Sequence, residues 1–188
     1  MKKLLIGLFV LVFLAVIAGV GAHYYVKPDR SLDLSYEEVP LKERAIDMAK
    51  RMSLELILTD DDIGNLAKKS LAGNPLVEND IVVTGAEFAL EGDRLIADLN
   101  VLWKDWVSAE LRITYRLRWQ DPNVIADVLE ARMKGVPLPK SMLSSRVIPI
   151  AEELPKPLKI ESMKWGQTEV GVIFRKPSLK DLQELIGG

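Results

Sequence analysis

The chain of 188 residues contains no cysteine and a single histidine, His23. The first absence excludes disulfides, thiolate nucleophiles and zinc sites built on cysteine. It also closes the lipoprotein route to a membrane, which needs a cysteine to acylate. The second leaves only the His23 imidazole as the base that a hydrolytic triad requires. A glycine-rich phosphate loop, a dinucleotide fingerprint, a Gly-x-Ser-x-Gly elbow and a histidine metal motif are all missing. A basic excess is missing too. Lys and Arg total 25 against 27 Asp and Glu, so nothing here is built to neutralise nucleic-acid phosphates.

Charge is also absent from one long run. Leu4 to Val26 are 23 residues without a formally charged side chain, and the strictly apolar part, Leu4 to Ala22, is 19 residues. As a helix, 23 residues reach about 34 Å, enough to cross a hydrocarbon core of about 30 Å. A cleavable signal peptide has a shorter apolar region, about 7–15 residues. Residues 4–26 therefore read as a retained transmembrane anchor embedded in the lipid bilayer. The alternative is a removed signal peptide, since Val20-Gly21-Ala22 offers the small residues that cleavage tolerates. Lys2 and Lys3 place the tail, residues 1–3, in the cytoplasm, and His23, Tyr24 and Tyr25 suit the far interface, a role that fits His23 better than catalysis. The expected location is the cell membrane, single-pass, with the rest of the chain extracytoplasmic. Without Lys2 and Lys3 that rest carries 23 basic and 27 acidic side chains, net −4.

Residues 27–39 are polar and open with Lys27-Pro28, which reads as a stalk; 40–188 read as one domain. Pro40 suits a first helical turn, and Leu41, Ala45, Met48, Ala49 and Met52 recur at helical spacing. Leu54, Leu56 and Leu58 predict a short strand. Thr59-Asp60-Asp61-Asp62 then opens a second helix, which Gly73-Asn74-Pro75 ends.

From Ile81 the period changes to two. Val82, Thr84, Ala86, Phe88 and Leu90 predict one face; Leu95, Ala97, Leu99, Val101 and Trp103 the next; Val107 to Trp119 a third, with Arg112, Arg116 and Arg118 behind it. Parity sets the register, because a one-residue slip turns every side chain to the wrong side. It pairs Leu90 with Leu95 across a loop of residues 91–94, and Trp103 with Val107 across residues 104–106, leaving Trp106 at a hairpin tip. Residues 124–133 alternate at Val124, Ala126 and Val128 but carry Ile125, Leu129 and Met133 at helical spacing; strand is preferred, since a sheet edge wants a neighbour. Residues 135–139 form a proline-stiffened connector. Ser141 to Leu154 read as a helix interrupted at Pro149. Leu158–Trp165 and Thr168–Arg175 predict a hairpin on a type II′ Gly166-Gln167 turn. Ser178 and Asp181 predict the cap of a last helix. The fold class is α+β: after the anchor, a twisted antiparallel sheet with short helices packed against one face.

Chemistry is sparse. Asp60-Asp61-Asp62 could ligate a hard cation, but acids at a helix start need no metal and consecutive helical side chains diverge. Asp98 and Asp105 are too isolated to pair as acid and base, and Ser144-Ser145 has no base near it in sequence. No metal, cofactor or catalytic residue is assigned. Apolar surface is the richer feature. Phe88, Leu99, Val101, Leu111, Ile113 and Tyr115 are candidates to line an apolar groove, or equally an ordinary core, with Met133, Met142 and Met163 as adaptable neighbours. Trp106 is the candidate interaction tip.

The short tail and single span, the run Leu58-Thr59-Asp60-Asp61-Asp62-Ile63-Gly64-Asn65-Leu66, the alternating strands and Gly135-Val136-Pro137-Leu138-Pro139 resemble the YpmS-type family of bacterial membrane-anchored proteins. The resemblance implies a Gram-positive type of envelope and an outward-facing domain. That family has no established activity, so no residue roles carry over. A sheet wrapped over helices is also similar in architecture to tubular lipid-binding folds. The leading expectation is a non-enzymatic tethered domain that binds an apolar or amphipathic ligand, a lipid or lipid-linked envelope precursor. The alternatives are a module that docks on another envelope protein through its sheet edge or Trp106, and a carboxylate-dependent wall hydrolase.

Overall fold

The unbroken alternation that begins at Val107 becomes β5 (Val107–Gln120), the spine of the larger of two antiparallel sheets. The computed structural model describes residues 19, 21, 24–78, 80–104, 106–148, 150, 154 and 158–176. In chain order the elements are α1 (Leu41–Lys50), β1 (Glu55–Thr59), α2 (Asp60–Gly73), β2 (Leu76–Glu78), β3 (Ile81–Glu91), β4 (Arg94–Trp103), β5, β6 (Asn123–Met133) and β7 (Val136–Pro137). A 3-10 turn (Lys140–Met142), β8 (Arg146–Ile148), β9 (Ile160–Trp165) and β10 (Glu169–Phe174) follow. The fold is α+β, with antiparallel sheets and few short helices. Rather than one sheet there are two. β2 to β7 run side by side in sequence order with β8 also on β6, while β1, β10 and β9 form a separate three-stranded sheet.

The parity argument holds at both central hairpins. Leu90 pairs with Leu95, and the turn tightens to Gly92-Asp93 because Glu91 pairs with Arg94 and Gly92 takes a φ of 66°. Trp103 pairs with Val107, Val101 with Ala109 and Leu99 with Leu111, so apolar meets apolar along both strands. Residues 124–133 form a strand as expected. Its mixed periodicity has a local cause: Tyr115 pairs with Val128 but Thr114 with Glu130, so Leu129 is an extra residue in a bulge.

Four expectations are corrected. The even-numbered face of β3 fails at Val82 and Thr84, because a bulge at Thr84 shifts the pairing and buries Val83 in their place. Residues 141–148 form no α-helix. β-branched Val147 and Ile148 pair with β6, whose outer edge β7 covers only at Arg132 and Met133. The last hairpin pairs Trp165 with Val170, so the loop holds four residues, and Gly166 lacks the positive φ of a type II′ turn. Met52 lies past the end of α1 with a φ of 55° and is 92% exposed, so it is not part of the helix's apolar stripe.

The core forms two clusters. In the first, Leu41, Ala45 and Met48 of α1, Leu56 and Leu58 of β1, and Val170, Val172 and Phe174 of β10 close over one end of the large sheet, at Leu90, Leu95, Leu117 and Val124. The second covers the other end of that face: Val83, Ala86, Ala97, Leu99, Val101, Ala109, Leu111, Ile113 and Ala131. The α2 start behaves as its sequence predicts. The Thr59 hydroxyl accepts from the Asp62 amide, and the Asp62 carboxylate accepts from the Thr59 amide.

Residues 27–39, expected as a stalk, lie against the sheet as a strap. The Lys134 ammonium donates to the Lys27 carbonyl and pairs with Asp29, and the Asp29 amide donates to Glu110. The buried Asn100 amide donates to the Arg30 carbonyl at 2.7 Å, and the Ala86 amide to the Asp33 carbonyl at 3.0 Å. Asn100 and Glu110 alternate with core residues, so they lie on the sheet's polar face. Leu34, by contrast, packs on the second cluster. The strap therefore passes from the polar face round the β3 edge to the core face. Gly85 permits the crossing: a Cβ there would collide with the Leu32 carbonyl and stand 2.8 Å from the Asp33 nitrogen. Among the described residues no helix is long and apolar enough to cross a membrane. The expected anchor, apart from residues 19, 21 and 24–26, lies outside them, as do Pro149 and the expected last helix.

Candidate functional site

The residues expected to line a groove do come together. Leu99, Val101, Leu111 and Ile113 stand on one face of β4 and β5, paired across the strands or one pair apart. They are only 3–6% exposed, so in this conformation they are floor, not the wall of an open groove. Phe88 and Tyr115 are half-buried and touch both core clusters, marking the seam between them. The three methionines do not converge. Met133 packs on the second cluster and Met163 on the first, whereas Met142 is exposed.

The two ends of this face are covered differently. Over the first cluster lie α1, the three-stranded sheet, Ile63 and Leu66 of α2, and Leu154 and Leu158 from the chain between β8 and β9. Over the second, the chain outside the large sheet supplies Val26 and Leu34 before α1, Leu71 near the end of α2, and Leu138 and Leu143 from the irregular stretch after β7. Four of its nine buried residues are alanines, Ala86, Ala97, Ala109 and Ala131, which make the floor flat and shallow. Helix ends and loops open at lower free energy than packed sheets, so this cover is the easier one to displace. On the polar face of the sheet, a pocket of about 350 Å³ lies under the strap, lined by Pro28, Arg30, Ser31, Leu32, Thr84, Asn100, Val101 and Ser108.

Trp106 is at the β4–β5 tip, as the register requires. It is 68% exposed, and Trp103 beside it is 45% exposed. The Lys104 amide donates to the Asp80 carbonyl, which joins this tip to the β2–β3 turn; exposed Leu76 sits close by, lining a second pocket of about 400 Å³ with Asp80, Val82 and Lys104. Trp119 and Trp165 pack on the first cluster instead.

The carboxylates have structural partners. Asp60 accepts from the Leu90 amide at 2.6 Å, and Asp62 accepts from the Arg44 guanidinium at 2.6 Å. Burial pushes the Asp62 carboxyl up, but Arg44 and Thr59 outweigh it and hold it below the usual carboxylate range. Asp98 takes a bidentate pair of bonds from Arg112, 2.5 and 2.7 Å. Arg118 lowers the Asp127 carboxyl by hydrogen bonding to it. The arginine stripe on β5 is thus a row of ion pairs, completed by Arg116 with Asp93 of the β3–β4 turn. Asp105 lies outside the described residues. Among the described residues no three His, Asp or Glu side chains are grouped to hold a metal ion.

The exposed side chains at this end of the sheet are Trp103, Trp106 and Leu76, of which the sequence pattern marks Trp106 as a tip. Ile81 opposite Trp103 places the β2–β3 turn beside that tip. No protein-family model, no curated protein and no solved structure matches this chain.

Proposed function

We propose that the chain is a single-pass membrane protein whose N-terminus is cytoplasmic and whose extracytoplasmic domain is non-enzymatic. It binds an apolar or amphipathic ligand, a lipid or lipid-linked envelope precursor. The resemblance to YpmS-type proteins and the architectural analogy to tubular lipid-binding folds agree with this reading without assigning roles to residues. The observation that supports it most is the construction of the second cluster. A flat, alanine-rich apolar face spans β3 to β6, and its cover comes from the strap, the end of α2 and the chain after β7. An acyl chain that displaces Leu34, Leu138 and Leu143 exchanges one set of apolar contacts for another. The cost is then the lost burial of the displaced leucines, partly offset by the entropy of the released loops, and not the exposure of core. Phe88 and Tyr115, at the seam, are placed to bound the inner end of such a site.

Native mass spectrometry of the full chain released from membranes tests this directly. A lipid-mass adduct should survive activation that strips detergent. Added phospholipid at a hundredfold excess over its Kd should stabilise the fold by about 2.7 kcal/mol. A bare chain whose melting temperature ignores added lipid contradicts the reading.

A further inference from the structure

We propose that the end of the large sheet carrying Trp103 and Trp106 is a lipid-contact surface that inserts its aromatic rings into the headgroup layer of the bilayer. The inference rests on the tethering just described and adds to it which face of the domain meets the membrane. Three loops share this end. The β4–β5 tip holds Trp103, Lys104 and Trp106; the β2–β3 turn is bonded to it through Lys104 and Asp80; and the β6–β7 turn at Lys134 and Gly135 is bonded to β5 through the Glu110 carbonyl. Glu110 is three residues from Val107, about 10 Å along the strand.

The chain that leaves the expected anchor docks at this same end. The Tyr25 hydroxyl donates to the Lys134 carbonyl at 3.3 Å, and the Lys134 ammonium donates to the Lys27 carbonyl at 2.8 Å. Val26 closes the 23-residue uncharged run, so no slack separates the anchor from this contact. A bilayer entered at residue 26 therefore lies against the loops that hold residues 25–27. The side chains that face it suit an interface. Tyr24, Tyr25, Trp103, Trp106 and Leu76 are all exposed. Lys27 lies over the Tyr24 ring at 4.8 Å and Lys104 over the Trp103 ring at 5.4 Å. Aromatic rings that carry lysine ammonium groups beside them match the belt chemistry of the membrane–water boundary.

Trp fluorescence reads this surface cleanly, because residues 1–26 contain no tryptophan. Trp119 stands twelve residues from Val107 on β5, about 40 Å from the tip. The full chain is reconstituted into phosphatidylcholine vesicles containing lipid brominated near the headgroup end of its acyl chains. Integration is scored separately by resistance to carbonate extraction. In integrated protein, bromolipid should quench the emission, and the W103F/W106F double variant should lose most of that quenching while its far-ultraviolet spectrum is unchanged. Integrated protein with no quenching, or with quenching that W103F/W106F leaves intact, overturns the lipid contact and leaves the anchor standing. Carbonate-extractable protein overturns the anchor and the contact with it. An unquenched tip whose W106F variant loses capture of an envelope protein overturns the contact in favour of protein docking.

Discussion

Replacing Gly85 by alanine is expected to lift the strap from the sheet and to destabilise the domain sharply. The new Cβ collides with the Leu32 carbonyl, which is main chain and cannot rotate aside. Overpacking of this kind costs about 1–3 kcal/mol. Moving the strap also separates the Arg30 carbonyl from the buried Asn100 amide, and an unsatisfied buried amide costs about a further 1–3 kcal/mol. Gly64→Ala makes the informative contrast. Its Cβ meets only the Phe88 Cβ, at 3.9 Å, inside helix α2, where exchanging glycine for alanine stabilises by about 0.5–1 kcal/mol. One substitution type should thus give opposite signs in urea denaturation, and only Gly85→Ala should speed proteolysis within residues 28–38. Equal, small effects at both sites would show that the strap is not seated as described.

The second large effect concerns Asp62 and Arg44. Asp62→Asn keeps an oxygen for the Thr59 amide but removes the charge that Arg44 contacts at 2.6 Å. The loss at neutral pH is about 1–3 kcal/mol, towards the lower end because the Arg44 side chain is 38% exposed and water replaces part of the pair. Since the folded carboxyl titrates below its unfolded value, its stabilisation is fully present above about pH 4 and fades as pH falls through the folded value. The wild-type advantage over Asp62→Asn should therefore shrink in acid. An advantage that is the same at pH 3 and pH 7 would assign Asp62 a purely geometric role.

Local rules made much of the fold legible. Hydrophobic parity set both central hairpins, since Leu99 opposite Leu111 and Val101 opposite Ala109 admit no slip. The capping box at Thr59 and Asp62 was legible because its two residues are three apart in the chain. What escaped was set by distant partners. The bulge at Thr84 answers to the strap at Leu32 and Asp33, some fifty residues earlier, and nothing in the β3 pattern announces that contact. Val147 and Ile148 joined the open β6 edge although their surroundings suited a helix. For the candidate site, sequence located Phe88, Leu99, Val101, Leu111, Ile113 and Tyr115 on one face. It could not tell floor from wall, because burial depends on what Leu34, Leu71 and Leu143 cover. Trp106 was placed correctly because its position follows from the register alone.

In the proposed function, residues 4–26 hold the domain to the outer side of a membrane. The most direct test is the intact mass of the chain extracted from native membranes, taken before and after protease is added outside sealed spheroplasts. An uncleaved, tethered chain gives 21.0 kDa, and external protease removes the domain while leaving a membrane-held N-terminal fragment. A mass short by the segment through Ala22, or a domain digested only once the membrane is broken, would contradict it.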